Sequence, residues 1–391
     1  MTGALVVGAG LGGLRAAEAL RGAGYPGAIT VVGDEPHLPY NRPPLSKEAL
    51  AQGIDVDELA FRRKESIADV DWRLGSAAVS ADLPGRTVTL ADGSQAGFEG
   101  LVVASGIRPR ALPIEGPSGG RFMLRTIDDA HGLRERLRPG THLLIMGAGF
   151  IGCEVAATAA QQGATVQVVA LDAEPMVRPL GPDLGAAMRR RHESHGVRFH
   201  LGRTVARFLG EDRVSAAVLD DGTELPADLV LEAVGSVPNT EWLAGNGLDL
   251  TDGVLVDSAM VAVGAPAPVV AVGDLARYPH GLFPPAARRI EHWNMPTETG
   301  RRAGQSLAAI LSGQAPSPEP FTAMPAFWSD QYEAKIQSFG MPGLAERIEV
   351  LSGQVDGPCI VGYFDVHGLV GVVGIDRSSD LAPYRRQLMQ R

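Results

Sequence analysis

Ala4-Leu5-Val6-Val7-Gly8-Ala9-Gly10-Leu11-Gly12-Gly13 is a short apolar run that ends in a glycine-rich turn. A run of this length and character reads as a buried parallel strand. Leu14 to Arg21 follows with helical patterning, and Ile29-Thr30-Val31-Val32 is a second apolar run closed by Gly33-Asp34-Glu35. Strand, glycine turn, helix, strand and acid is the order of a βαβ unit that binds a dinucleotide. Gly8 permits the tight turn, Gly10 lets a pyrophosphate approach backbone N–H groups, Gly12 shares the fingerprint, and Gly13 lets helix and strand pack closely. The helix N-terminus faces the negative charge, while Asp34 or Glu35 can accept from ribose hydroxyls.

The same unit recurs. His142-Leu143-Leu144-Ile145-Met146 enters Gly147-Ala148-Gly149-Phe150-Ile151-Gly152, then an alanine-rich helix from Glu154 to Gln161, then Val166-Gln167-Val168-Val169. One glycine fingerprint is weak, because glycine turns are common; two, each set between strand and helix, predict two dinucleotide sites. The expected fold is α/β, with two Rossmann-like dinucleotide-binding domains and a C-terminal α+β domain.

Working outward, 391 residues exceed one compact domain, and 45% hydrophobic with 20% charged residues is a folded rather than a disordered balance. The net charge of −10 repels phosphate backbones, so nucleic acid is not an expected partner. Cys153 and Cys359 are the two cysteines and form no CxxC pair, which excludes a disulfide framework and a cysteine zinc site and suits a cytoplasmic location. No long unbroken apolar stretch predicts a membrane span. His192 and His195 are three apart rather than the four of HExxH, and Gly196 stops the helix, so no metal site is expected. No GxSxG elbow points to hydrolysis.

Beyond the fingerprints, Tyr40-Asn41-Arg42-Pro43-Pro44-Leu45-Ser46-Lys47, Val102-Val103-Ala104-Ser105-Gly106, Val270-Ala271-Val272-Gly273-Asp274 and Phe327-Trp328-Ser329-Asp330-Gln331 occur in order. With these segments the chain resembles the FAD-dependent NAD(P)H:ferredoxin reductases of the putidaredoxin, rubredoxin and dioxygenase-system type, over almost its whole length. The RPPLSK and FWSDQ segments are the most specific, since generic two-dinucleotide flavoproteins lack them. The resemblance implies a glutathione-reductase-like architecture: an FAD domain over 1–108 and 233–318, an NAD(P)H domain over 109–232, and a C-terminal domain over 319–391. Turn-rich segments at Arg108-Pro109, Gly235-Ser236-Val237-Pro238-Asn239 and Ser312 to Pro320 agree with those boundaries. Ile360 to Asp365 and Leu369 to Val373 are expected to pair around His367-Gly368.

The resemblance also implies roles. FAD would be held by the first fingerprint, by Arg42 and Lys47, by the backbones of Val79 and Trp293, by Arg125, and by Asp274 at the ribityl chain. A plain alternative for Asp274 is the cap of a helix starting near Ala276. NAD(P)H would lie on the second fingerprint, with Gly235 nearby, and Lys47 and Glu154 would stand beside the flavin edge where the nicotinamide stacks. Whether that pair serves the reaction or only structure, both readings require contact. Trp328 would lie near the flavin, on the side of an iron–sulfur partner. Disulfide reductases of similar architecture carry a cysteine pair near residues 40–50; this chain has none, so electrons would leave the flavin directly, to another redox protein or to a diffusible acceptor.

Three departures bear on function. The acid that receives the NADH ribose is expected where Ala170 stands; Asp172 could substitute from the loop, and Arg178 could instead attract a 2′-phosphate, so NADH leads while NADPH stays open. Ser105 replaces a threonine and Asn41 an aspartate of the resembled pattern. An acidic ferredoxin would need a basic patch on this acidic chain; Arg301-Arg302, Arg288-Arg289 and then Arg62-Arg63-Lys64 are the candidates. The default is a monomer. The competing readings are an NAD(P)H oxidase or diaphorase, and a flavin-bound interaction protein.

Overall fold

The computed structural model describes residues 3–391, and the polypeptide divides into two compact units. The first comprises 1–41, 60–108 and 238–326; the second comprises 42–59, 109–237 and 327–391.

In the first unit the opening run becomes a fully buried strand, Gly3–Val7, followed by a helix over Leu11–Gly22 and the strand Ile29–Val32. The sheet runs Asp71–Arg73, Ile29–Val32, Gly3–Val7, Gln95–Val103, with Val269–Ala271 parallel on the far side. Strands buried on both faces need unbroken apolar sequence, which is why Ala4 to Val7 and Leu101 to Val103 do not alternate. An antiparallel meander of Ala78–Asp82 and Thr87–Leu90 extends from Gln95–Val103.

The fingerprint helix is braced by a second helix, Met295–Leu311. Their backbones approach closely because Gly300 and Gly304 face it: a Cβ at Gly304 would sit 2.6 Å from Ala19 Cβ, and one at Gly300 2.8 Å from Gly12 O. The segment after this helix, Ser312 to Pro320, carries no helix or strand, as its prolines dictate.

The second unit repeats the design. Its parallel sheet runs Arg198–Leu201, Thr165–Ala170, His142–Met146, Leu229–Glu232, Arg121–Phe122, and its fingerprint helix is Phe150–Gln161. A three-stranded antiparallel sheet, Val205–Leu209, Ala216–Leu219 and Glu224–Pro226, packs Val205, Phe208 and Leu225 with Leu144 and Val230 in one core. The C-terminal part is an antiparallel sheet in the order Ala326–Gln331, Ala334–Gly340, Gly368–Ile375, Cys359–Asp365, Arg347–Gly353. The expected pair around His367-Gly368 is the central hairpin of that sheet. The mixed α/β architecture with two Rossmann-like units and a C-terminal α+β portion is thus present. No helix among the described residues is long and apolar enough to cross a membrane.

Candidate active site

The two fingerprints fold into cradles of the same build. Gly8 has φ +119°, and a Cβ there would lie 2.0 Å from Ala104 O; Gly147 has φ +100°, and its Cβ would lie 2.3 Å from Ala233 O. Only glycine fits either position. A Cβ on Gly13 would meet Gly8 O at 2.0 Å, and one on Gly152 would meet Gly147 O at 2.1 Å, so helix and strand touch backbone to backbone in both units. Gly10 and Gly149, by contrast, have nothing within 4 Å of the missing Cβ. They are the N-terminal neighbours of the helices Leu11–Gly22 and Phe150–Gln161, and open space at a helix N-terminus suits a pyrophosphate. Gly12 packs toward Val272 of the adjacent strand end.

The acids at the strand ends differ in environment. Asp34 is exposed and accepts from the backbone N–H of Glu35, whereas Glu35 is half-buried and accepts the Tyr40 hydroxyl at 2.5 Å. Strand pairing fixes its counterpart in the second unit. Val7 pairs Val32 and Met146 pairs Val169, and both Val7 and Met146 directly precede the first fingerprint glycine. Counting on from each pair, Glu35 corresponds to Asp172, not to Ala170. Ala170 is still inside the strand Thr165–Ala170 and is buried. Asp172 is half-buried, and Arg178 approaches it at 3.7 Å.

Asp274 lies in a short 3₁₀ turn, Gly273–Leu275, after which Ala276–Arg277 is a strand. The helix near Ala276 that would have made Asp274 a cap is absent, because the chain pairs in parallel with Val254–Leu255 instead. Trp293 is partly exposed, and its indole N–H donates to Asn41 Oδ1 at 3.1 Å. Val79 is an exposed residue of the antiparallel meander. In the second unit Arg42 Nη1 donates to the carbonyl of Arg125 at 2.5 Å, so these two predicted residues meet. Gly235 (φ +102°) accepts from Arg110 N–H through its carbonyl.

Lys47 and Glu154 are brought together: Lys47 Nζ stands 2.6 Å from Glu154 Oε2, with both side chains largely buried. The local chain explains why. Pro43–Ser46 is a 3₁₀ turn with proline preset at its start, and Lys47 leads into the helix Glu48–Gln52. Thr158 Oγ1 of the fingerprint helix donates to Ser46 O at 2.8 Å and anchors that turn over Glu154. Two hydroxyls missed in the sequence complete the site. Ser46 Oγ donates to Glu154 Oε2 at 2.5 Å and Ser329 Oγ to Oε1 at 2.6 Å. A buried carboxylate with an ammonium and two hydroxyl donors is compensated on both oxygens. The signal for Ser329 was legible: in Phe327-Trp328-Ser329-Asp330-Gln331 the alternate residues 327, 329 and 331 are buried, and Trp328 faces the opposite side, partly exposed.

Both cysteines are buried and unpaired. Burial, with the Glu154 charge beside it, drives the Cys153 thiol far above its ordinary range, so it stays protonated and inert. The basic candidates are mostly engaged. Arg289 pairs with Asp252 and Glu291, Arg302 donates to the carbonyls of Ser317 and Glu319, and Arg288 donates to Phe283 O. Arg301 is exposed beside Glu298, and Arg62, Arg63 and Lys64 are exposed.

Two glycine cradles of one build, with a buried Lys–Glu pair at the second and no cysteine pair, define a two-dinucleotide oxidoreductase. Residues 3–300 match the model of the pyridine nucleotide-disulphide oxidoreductases and 326–391 that of the reductase C-terminal domain. The chain belongs to the pyridine nucleotide-disulphide oxidoreductase family, and it is an enzyme. It is 33% identical to putidaredoxin reductase from Pseudomonas putida over 95% of this chain and 88% of that protein. It is 36% identical to the ferredoxin–NAD(+) reductase component of the biphenyl dioxygenase system of Paraburkholderia xenovorans, over 89% of this chain and 84% of that protein. A crystal structure of the covalent putidaredoxin reductase–putidaredoxin complex superposes with a TM-score of 0.90 at 32% identity, covering 100% of this chain and 93% of that one. The resemblance to ferredoxin reductases is borne out.

Proposed function

We propose that this chain is an FAD-dependent NADH:ferredoxin oxidoreductase serving an oxygenase. The observation that carries the reading is the pair of cradles, each closed to a side chain at its outer glycines and open at its middle one. The relatives supply the acceptor class, being ferredoxin reductases by name, one of them solved in covalent complex with putidaredoxin.

In this proposal FAD lies on Gly8, Gly10, Gly12 and Gly13, with Glu35 at its ribose and Asp34 beside it. The backbones of Val79 and Trp293, together with Arg42, Arg125 and Asp274, hold the remainder. NADH lies on Gly147, Gly149 and Gly152 near Gly235, and the correspondence of Asp172 with Glu35 favours a free ribose over a 2′-phosphate. Bound FAD supplies the conversion of a two-electron hydride into single electrons. The protein's part is orientation. Lys47 and Glu154 fix the nicotinamide carboxamide, and neither needs to act as a general base. Trp328 shields the acceptor side.

The division into 1–108 with 233–318, 109–232 and 319–391 remains the working domain scheme. A monomer in the cytoplasm fits the two buried, unpaired thiols. Docking is assigned first to Arg301, the exposed member of Arg288, Arg289, Arg301 and Arg302, and next to Arg62, Arg63 and Lys64. Anaerobic stopped-flow reduction by NADH and NADPH in parallel tests the reading. Fast flavin bleaching by NADH, then transfer to an added iron–sulfur protein, is the expected result. Fast turnover with oxygen or quinone but none with an iron–sulfur protein supports the oxidase alternative. Absence of bleaching with FAD bound sinks the reductase function.

A further inference from the structure

Behind Glu154 runs a line of polar side chains that the proposed reaction leaves unused. Ser329 Oγ is 2.6 Å from Glu154 Oε1, and Gln331 Nε2 is 3.0 Å from Ser329 Oγ. Gln331 Oε1 is 2.8 Å from His192 Nε2, and His192 Nδ1 is 3.3 Å from Tyr332 Oη. Glu154, Ser329, Gln331 and His192 are all buried, while Tyr332 is half-buried and stacks on the exposed His195 at 3.7 Å. Tyr332 holds φ +56° in the turn after the strand Ala326–Gln331, a conformation non-glycine residues rarely take. That turn sets its hydroxyl over the His192 ring.

Counting protons fixes the direction of the line. The Glu154 carboxylate, paired with the Lys47 ammonium, accepts only. The single proton of Ser329 therefore points at Oε1, and its oxygen must accept from Gln331. The amide nitrogen of Gln331 then faces Ser329, and its other hydrogen faces Met176 Sδ at 3.3 Å. Turned the other way, the amide would set its oxygen against the sulfur lone pairs and leave Ser329 without a donor. With Oε1 toward the ring, His192 must carry its proton on Nε2 and accept the Tyr332 hydroxyl on Nδ1. Burial also keeps this ring neutral, bringing its pKa down to about 4.

We propose that Ser329, Gln331 and His192 are positioning residues for Glu154, a one-way line of donors that fixes the carboxylate plane and leaves Oε2 for Lys47 and Ser46. The amide at its centre can pass a proton only as an imidic acid, so the line orients and does not conduct. The inference rests on the proposed role of Glu154 toward the nicotinamide. Nucleotide affinity comes mostly from the cradle, so losing the line disturbs approach geometry more than binding. An error of about 1 Å in such geometry costs on the order of a hundredfold, and a loosened carboxylate less.

The direction is read in the wild-type holoenzyme by ¹⁵N NMR of histidine-labelled protein, with His192→Gln to assign the signal. A neutral ring protonated on Nε2, without nucleotide and from about pH 8 to about pH 5.5, is expected. A ring protonated on Nδ1 overturns the proposal. The function is read from Ser329→Ala and Ser329→Thr. In Ser329→Ala the limiting rate of flavin reduction by NADH is expected to fall about tenfold with the NADH Kd within about twofold, and Ser329→Thr to restore it. A wild-type limiting rate in Ser329→Ala overturns the positioning role, and an equal loss in both variants points to packing and overturns it too. Failure of NADH to reduce the wild type would sink the proposed function instead, and the tautomer would still decide the direction of the line.

Discussion

Glu154 collects three donors on two oxygens, and they are unequal in what they leave behind when removed. Lys47→Met takes the charge partner but leaves the Ser46 and Ser329 hydroxyls on the carboxylate. Glu154→Gln strands a largely buried ammonium and turns an amide N–H toward at least one hydroxyl that needs an acceptor. Breaking a buried ion pair from one side costs about 3–5 kcal/mol, less where other hydrogen bonds remain. Glu154→Gln should therefore lower urea stability by about 3 kcal/mol and Lys47→Met by about half of that. The double variant should be milder than the sum. Equal losses, or strict additivity, would mean the hydroxyls contribute nothing to holding the carboxylate.

At the scale of elements, the two βαβ units separate stability from binding within one motif. Gly13→Ala drives a Cβ to 2.0 Å from Gly8 O, so the helix Leu11–Gly22 must leave its strand, and soluble yield and melting temperature should drop. Gly10→Ala meets no protein atom within 4 Å, so the fold should persist while FAD is lost on purification, read by flavin absorbance. Gly304→Leu forces apart the helices Leu11–Gly22 and Met295–Leu311, where even a Cβ lies 2.5 Å from Ala16 O, and overpacking of this kind costs about 1–3 kcal/mol. These units were legible because glycine spacing and unbroken apolar runs are local signals; the strand Ile29–Val32 agrees residue for residue. The edge strand Arg347–Gly353 of the C-terminal sheet was not, since its Ile348 and Val350 are exposed rather than core-facing and it holds its place by pairing with Cys359–Asp365. The polar line behind Glu154 was missed for a different reason. Ser329, Gln331 and His192 come from a strand and a helix far apart in sequence, and their polarity reads as solvent exposure until the strand period of two turns them inward. The ribose acid is expected at Ala170, the last residue of the strand Thr165–Ala170, and the pairing registers add Asp172 as the position that matches Glu35.

Across the whole molecule, each compact unit contains a histidine whose pKa burial of the ring lowers to about 4: the half-buried His292 in the first and the fully buried His192 in the second. His280 and His200 shift the same way, also chiefly through burial. Unfolded histidine takes its proton near pH 6.5, so between about 6.5 and about 4 the unfolded chain binds more protons than the native one. Stability is full above that window and is lost as pH falls through it, by on the order of 3 kcal/mol for each of His292 and His192. Urea midpoints at about pH 7.5, 6 and 5 should fall in that order. Constant midpoints would mean that these rings are solvated. The charge of the chain sets the last expectation. At −10 it repels an acidic partner at long range, so productive encounter has to come from local cations. Arg289 and Arg302 are tied to Asp252, Glu291 and backbone carbonyls, which leaves Arg301 as the exposed member of the four. Arg301→Glu should lower kcat/KM for an acidic ferredoxin severalfold at about 20 mM salt and have little effect at about 300 mM, where the Debye length drops below about 6 Å. Flavin reduction by NADH should be unchanged in the same variant, because Arg301 is exposed and pairs with Glu298 on the same helix. A loss of equal size at both salt concentrations would assign Arg301 a packing role, and no loss at either would move the docking surface to Arg62, Arg63 and Lys64.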